Sequence, residues 1–307
     1  MAAPLGPNVE PSIAIAAPAV RAADLLELTK PRITFMVVIS AAAGFYLGAG
    51  SSELLSNFFR LLNAMLGTAL VASGASCLNQ VIERESDRWM ERTRDRPLPA
   101  GRIEPSVALL FGLSLAVAGS AWLWFAANPL TAILGALTLL LYVAVYTPMK
   151  RRSSLCTIVG AVPGALPPVM GWTAATGALT AEAWALFSIL FFWQMPHFLA
   201  IAWIYREDYR RGGQPMLPVI DPSGGSTARQ IVLYGLALLP TSLLPAALGL
   251  CGSIYFAGAL VLGLGFLAVG VHTAMTRTVA SAKLLLRVSV AYLPAVLALM
   301  ALDKVPL

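Results

Sequence analysis

Charge is what this sequence has least of. Asp, Glu, Lys and Arg make up 12% of its 307 residues, where an average soluble protein carries about 25%. With 58% hydrophobic residues and a mean hydropathy of +0.76, that deficit argues against a soluble chain and for a membrane protein. Histidine occurs only twice and cysteine three times. Cys77, Cys156 and Cys251 lie far apart, each in or beside an apolar run, with no CxxC pair and no metal spacing. They read as small packing residues. No basic stretch is interleaved with aromatics, so the net charge of +6 does not describe a nucleic-acid surface. In a membrane protein such an excess reports cytoplasmic loops. No linker divides the apolar runs, which argues against two domains. Residues 1–22 lack both the basic start and unbroken apolar core of a secretory signal and the Arg-rich character of a transit peptide. They are expected to be a mobile tail, with a single domain over 23–307 in a bacterial inner membrane.

What is there is a series of apolar runs. A helix needs about 20 residues to cross the hydrocarbon core. Nine runs qualify: Ile33–Gly50, Leu61–Ile82, Val107–Ala127, Leu130–Thr147, Cys156–Ala175, Ala183–Ile204, Ile231–Leu250, Gly252–Ala274 and Leu285–Leu302. The prediction is an all-α, polytopic bundle. Lys and Arg provide a check on the count: 19 of the 21 fall on one side of it, and only Arg60 and Lys304 on the other. A missed or invented span would have broken that alternation. The positive-inside rule then puts the N-terminus in the cytoplasm and the C-terminus in the periplasm. No charged residue lies deep in a span, as a pump or ion pathway usually requires. Polar chemistry is expected at the cytoplasmic helix ends.

The densest charge lies in NQVIERESDRWMERTRDRPL, Asn79 to Leu98, with ten charged residues between Glu83 and Arg96. Asn79, Glu83, Asp87 and Glu91 recur every four residues. On a helix continuing from the second span, and stopped by Pro97 and Pro99, they share one face. Oxygen-only ligands on one face suit a hard cation such as Mg²⁺. Arg84, Arg88 and Arg92 form a second stripe, and Arg94 and Arg96 follow. Carboxylates for a metal beside arginines for phosphate oxygens describe a diphosphate site. The same spacing also describes ordinary ion pairs on a solvated helix.

Two further loops share that side. The fourth span ends in Thr147, Lys150, Arg151 and Arg152, where Lys150 and Arg151 are candidates to complete a phosphate cradle. Glycines and prolines crowd the fifth span, which suits either a helix bounding a cavity or close packing. The sixth span runs into REDYRR, with acids Glu207 and Asp208 and cations Arg210 and Arg211. His197 lies inside this span among Trp, Met and Phe. It reads as a hydrogen-bonded interior residue, or as an iron ligand or acid/base group.

Three motifs then identify a relationship. The first joins Asn79, Glu83, Asp87, Met90, Arg92, Thr93, Arg96, Pro97 and Leu98 without a gap. The second has Tyr146–Thr147, Lys150–Arg151, Gly164–Ala165, Pro167 and Gly171–Trp172. The third is WQMPHF at Trp193–Phe198, followed by Asp208–Val219. With LTKPR at Leu28–Arg32, they make about 275 residues resemble the UbiA superfamily of intramembrane prenyltransferases, and within it the protohaem IX farnesyltransferase (haem O synthase) branch. Glu83, where the superfamily more often has Asp, and WQMPHF mark that branch. Adjacent Glu207 and Asp208 depart from the usual acids four apart, which argues against a full second metal site of that type.

The resemblance implies a UbiA-type bundle around a central cavity. It implies transfer of farnesyl from farnesyl diphosphate to a vinyl group of haem B, with addition of water. It assigns Asn79, Glu83 and Asp87 to Mg²⁺ and diphosphate, and Arg92, Arg96, Lys150 and Arg151 to diphosphate. Asp208 assists through a second metal or by ordering its loop. His197 becomes the candidate haem contact, and Lys30 and Arg32 candidates for diphosphate or a haem propionate. An enzyme converting haem O to haem A is the implied neighbour. The readings kept beside this one are another aromatic or quinone-precursor prenyltransferase and a secondary transporter.

Overall fold

The computed structural model describes residues 21–50 and 54–305. The expected tail lies outside the described residues, apart from its last two positions. Helices account for about four-fifths of the described residues. A short α1 (Ala22–Leu28) precedes α2 (Pro31–Gly48) and the long α3 (Leu54–Asp87). Then come α4 (Pro105–Ala126), α5 (Pro129–Met149), α6 (Cys156–Thr176) and α7 (Ala181–Ile204). Two short helices, α8 (Arg206–Arg211) and α9 (Leu217–Ile220), lead into α10 (Gly225–Ala247), α11 (Ser253–Thr276) and α12 (Val279–Leu302). Among the described residues, nine of these helices are long and apolar enough to cross a membrane, and they correspond one for one to the nine runs. The three cysteines are buried and unpaired, as packing residues should be.

The centre of the bundle is α6, whose span is 72% buried, more than any other. Its small residues explain how neighbours reach it. A Cβ on Gly171 would collide with the Ala41 carbonyl of α2, and one on Gly44 with the Pro168 carbonyl of α6. The two backbones therefore touch at a crossing that only glycine permits. Pro163, Pro167 and Pro168 sit inside α6 without breaking it, since packed neighbours tolerate such interruptions in membrane helices.

The two cations that fall opposite the Arg-rich loops have a visible use. Arg60 donates to the Ala174 and Ala175 carbonyls at the end of α6, at 3.1 and 2.8 Å. Lys304 donates to the Tyr46 and Ala49 carbonyls at the end of α2, both at 2.6 Å. Both satisfy orphan carbonyls and the negative end of a helix dipole.

Two local features shape the Arg-rich face. In α5, Leu141–Tyr146 is a π-helical turn. Pro148 has no N–H to give to the preceding turn, and the Thr147 hydroxyl donates to the Tyr142 carbonyl at 2.8 Å across the widened ring. The other is the corner between α1 and α2. Lys30 adopts φ 49° and ψ 63° there, a left-handed conformation that costs a non-glycine residue about 1 kcal/mol. The following Pro31 already disfavours the right-handed alternative.

Candidate active site at the charged face of the bundle

The site begins with α3, which runs past its apolar span and carries Asn79, Glu83 and Asp87 on successive turns. All three are buried, with 0%, 6% and 1% exposure. Each is met by a cation from a different part of the chain. Lys30 Nζ donates to Asn79 Oδ1 at 2.8 Å. Lys150 Nζ lies 2.7 Å from Glu83 Oε1, and an Arg96 guanidinium nitrogen donates to Asp87 Oδ2 at 2.7 Å. Asn79 spends its amide on the Thr147 hydroxyl at 3.0 Å, which ties α3 to the end of the π turn.

Buried ion pairs contribute little net stability, because desolvation offsets their attraction. Their concentration here argues for a role other than holding helices together. The balance of charge makes the same point. Three cations converge on two carboxylates. Burial first, and then the nearby Arg96 and Lys150 charges, depress the Lys30 ammonium to about 7 from its usual 10.5. Lys150 is largely withdrawn from solvent, yet Tyr146 and the Glu83 carboxylate more than offset the desolvation and hold its ammonium well above its usual value. The cluster is therefore short of negative charge at Lys30.

The helix does not continue as expected from the spacing. It ends at Asp87, ten residues before Pro97, and the chain turns through residues 88–104. The Thr93 hydroxyl donates to the Asp87 carbonyl at 2.9 Å and so covers the helix end. Glu91 leaves the acidic face and pairs with Arg211 at 3.0 Å.

Asp208 belongs to this turn, not to the α3 stripe. It is buried on α8, accepts the backbone N–H groups of Glu91 and Arg92 at 3.3 and 3.4 Å, and pairs with Arg211 on its own helix. Arg92 is also apart from the cluster. Its guanidinium lies 5.0 Å over the Tyr205 ring and 5.6 Å over that of Tyr209, and donates to the Tyr209 hydroxyl at 3.3 Å. Arg92, Tyr205, Glu207, Asp208 and Arg211 help line an open cleft of about 470 Å³ at this surface. Arg151 and Arg32 are exposed on the same face and make no side-chain polar contact among the described residues. His197 lies elsewhere, on α7 facing α12.

Three residues of the site carried no assigned role in the sequence reading. Thr147 and Tyr146 stand in the second motif, so their signal was present. Tyr146 lies under Lys150, with Nζ 4.6 Å from the ring centroid. Tyr142 pairs with Tyr146 at 5.3 Å between centroids. It had only its i,i+4 spacing from Tyr146 to recommend it.

The candidate ligands of α3 offer oxygen atoms, and Glu83 Oε1, although 2.7 Å from Lys150 Nζ, is buried without an aligned hydrogen bond. That set fits Mg²⁺, which needs only one or two carboxylates and completes its shell with phosphate and water. Among the described residues, no three His, Cys, Asp or Glu side chains form a group that could hold a metal ion by themselves.

The profile of the UbiA prenyltransferase family matches residues 37–293. The chain belongs to the UbiA prenyltransferase family. It is 52% identical over 287 residues to a protoheme IX farnesyltransferase of Solibacter usitatus, covering 92% of this chain and 98% of that one. The corresponding Salinibacter ruber protein is 48% identical over 91% of this chain and 98% of its own. The fold is shared with a UbiA homologue from Archaeoglobus fulgidus bound to GPP and Mg²⁺. Its TM-score is 0.60 at 16% identity, over 90% of this chain and 99% of that one. This UbiA member thus has the all-α intramembrane architecture of its family.

Proposed function

We propose that this UbiA member transfers the farnesyl group of farnesyl diphosphate to a vinyl group of haem B, with addition of water, giving haem O and pyrophosphate. The observation that carries the reading is the cluster of Lys30, Lys150 and Arg96 around Glu83 and Asp87, in which cations outnumber carboxylates. A diphosphate supplies negative charge. The name of the relatives supplies the acceptor.

Asn79, Glu83 and Asp87 would hold Mg²⁺. When bound, the ion supplies positive charge to the oxygens of the leaving group. Lys30, Lys150 and Arg96 bind the remaining diphosphate oxygens and gain strength as the bond from the allylic carbon to oxygen breaks. The terminal vinyl carbon bonds to that allylic carbon. Water then captures the cation left beside the porphyrin and gives up a proton, forming the hydroxyethylfarnesyl side chain. The apolar bundle keeps water from the first cation, which would otherwise be lost as farnesol. Asp208 orders the turn through Glu91 and Arg92, and so acts on the site through the loop. Arg92, Arg151 and Arg32 form an outer ring of cations for the incoming substrate. The excess of Lys and Arg in these loops supports a cytoplasmic side for them, in a bacterial inner membrane. A haem A synthase is the proposed recipient of the product.

The test is mass spectrometry of haem after incubating purified protein with farnesyl diphosphate, haem B and Mg²⁺. The expected product carries one farnesyl group and one added water, with matching pyrophosphate release. Pyrophosphate released only with a different aromatic acceptor would overturn the haem assignment. Solute flux into proteoliposomes without pyrophosphate release would favour a transporter.

A further inference from the structure

Arg102 has no part in the chemistry described above, yet every nitrogen of its guanidinium is in use. Nε donates to Asp24 Oδ1 and one terminal nitrogen to Glu27 Oε2, both at 2.7 Å. The other terminal nitrogen donates to the Asp95 carbonyl at 2.8 Å. Asp24 and Glu27 lie on α1, which leads to Lys30. The Asp95 carbonyl belongs to the peptide bond that joins Asp95 to Arg96. One side chain therefore grips the chain ahead of two cations of the cluster, Lys30 at Asn79 and Arg96 at Asp87.

Arg102 is itself tied to Arg96. Its backbone N–H donates to the Pro97 carbonyl at 2.8 Å, and the Ala100 N–H donates to the Arg96 carbonyl at 3.0 Å. Residues 96–102 thus close on themselves, with Gly101 supplying the left-handed position at φ 71°. The contacts also differ from the surface pairs of this face. Arg88 and Glu85, like Arg210 and Glu207, are three residues apart, whereas Arg102 reaches 78 and 75 residues back along the chain.

Helix α1 has seven residues, too few to persist alone. Leu28 attaches it, buried in one cluster with Cys77 and Val81 of α3 and Leu98 and Ile103 of the turn. The Leu28 carbonyl accepts from Gln80 at 2.7 Å. Apolar burial has no direction. A planar fork on two carboxylates does, and it fixes how α1 is rotated as it delivers Lys30.

We propose that Arg102 is a positioning residue for the prenyl diphosphate, setting Lys30 and Arg96 relative to each other so that both meet the same leaving group. The inference rests on the proposed diphosphate chemistry and holds for any acceptor. A displacement of about 1 Å in such a group is enough to cost 10²-fold in rate.

The test uses full-length protein in detergent. It reads Mg²⁺-dependent binding of farnesyl diphosphate, and haem O formation as each substrate is varied. Arg102→Gln is expected to bind farnesyl diphosphate about 10-fold more weakly and to keep the wild-type KM for haem B. Arg102→Lys should recover little, because a point charge cannot bridge three acceptors. Asp24→Asn keeps its shape and should show the same split with a smaller loss, which decides the matter if the Arg102 variants do not fold. Combined with Lys30→Met or with Arg96→Gln, Arg102→Gln should cost less than it does alone, since it acts through those residues. Unchanged binding of farnesyl diphosphate overturns the proposal. So do equal losses toward both substrates, or fully multiplicative losses in both double variants, because those describe a residue that only fastens α1. Wild-type protein that binds farnesyl diphosphate but makes no haem O overturns the acceptor assignment alone, and the binding losses still decide on Arg102. Wild-type protein that binds no farnesyl diphosphate overturns the activity and the inference together.

Discussion

The acids of α3 and those of α8 face the same side of the bundle, each with arginines close by in sequence, but they are used differently. Asn79, Glu83 and Asp87 are buried, and each meets a cation from another segment: Lys30, Lys150 or Arg96. On α8, Glu207 pairs with Arg210 and Asp208 with Arg211, both three residues on along the same short helix. Glu207 is exposed, and Asp208 reaches outward only to hold backbone amides of the α3–α4 turn. Charges gathered from separate segments require the fold in order to meet. Pairs three residues apart form on any helix and contribute little. Composition alone makes the two segments look alike, whereas the origin of the partners separates a site from its support.

The largest break in the comparison should come from Asp87→Asn. The isosteric change keeps the shape but removes the charge that meets Arg96 and, under the proposed function, the metal. Haem O formation should fall by about 10³-fold, the scale on which loss of one electrostatic contact to a transition state is felt. The protein should still reach the membrane at the wild-type level. Near-normal turnover would remove the α3 stripe from the chemistry.

Lys30→Met sharpens the comparison from the other direction. Lys30 is crowded by burial and by the Arg96 and Lys150 charges. Removing its charge should relieve that crowding, so the substrate-free protein should unfold about 2–4 °C higher in detergent. Affinity for farnesyl diphosphate should meanwhile drop by about 10-fold, close to 1.4 kcal/mol. A variant that lost both stability and affinity would mean that Lys30 is held for the fold.

The same contrast explains what could be read before the fold was known. The nine spans were legible because hydropathy decides which segments enter lipid, and because the Lys and Arg count tests every crossing. The spacing of Asn79, Glu83 and Asp87 was legible because a helical period survives any tertiary arrangement. The end of α3 was not. Hydropathy does not tell where a polar helix turns, and Asp87 is the last residue because Thr93 and Asp208 hold the chain that follows. The left-handed corner at Lys30 and the π turn before Thr147 were hidden too: Pro31 and Pro148 mark those places, but a proline does not say which backbone geometry the chain takes before it. Arg92 sits in the same motif as Asp87, but its long side chain reaches the rings of Tyr205 and Tyr209 instead. Shared motif membership did not place the two groups together.

Asp208→Ala should have a middle-sized effect and a diagnostic one. Loss of the acceptor for Glu91 and Arg92 N–H loosens the turn that leads to Arg96, and turnover should fall about 10-fold through misplacement of the cation. The dependence of rate on Mg²⁺ concentration should stay as in the wild type. In Glu83→Gln, by contrast, the curve should move to higher Mg²⁺. A similar shift in Asp208→Ala would show that α8 carries a metal, and the two acidic segments would then be alike after all.

Glu207→Gln is the smallest expected effect and the strictest control. Glu207 neighbours Asp208 in sequence, lines the same cleft and has its own arginine, so by proximity it belongs to the site. Physically it should not matter, because its pair is solvent-screened and local to one short helix. Turnover, Mg²⁺ dependence and thermal stability should all remain within about twofold or 1 °C of wild type, as is usual for surface substitutions. A tenfold loss here would mean that the cleft beside Arg92 takes part in catalysis, and that burial is the wrong criterion for dividing the acids of this face.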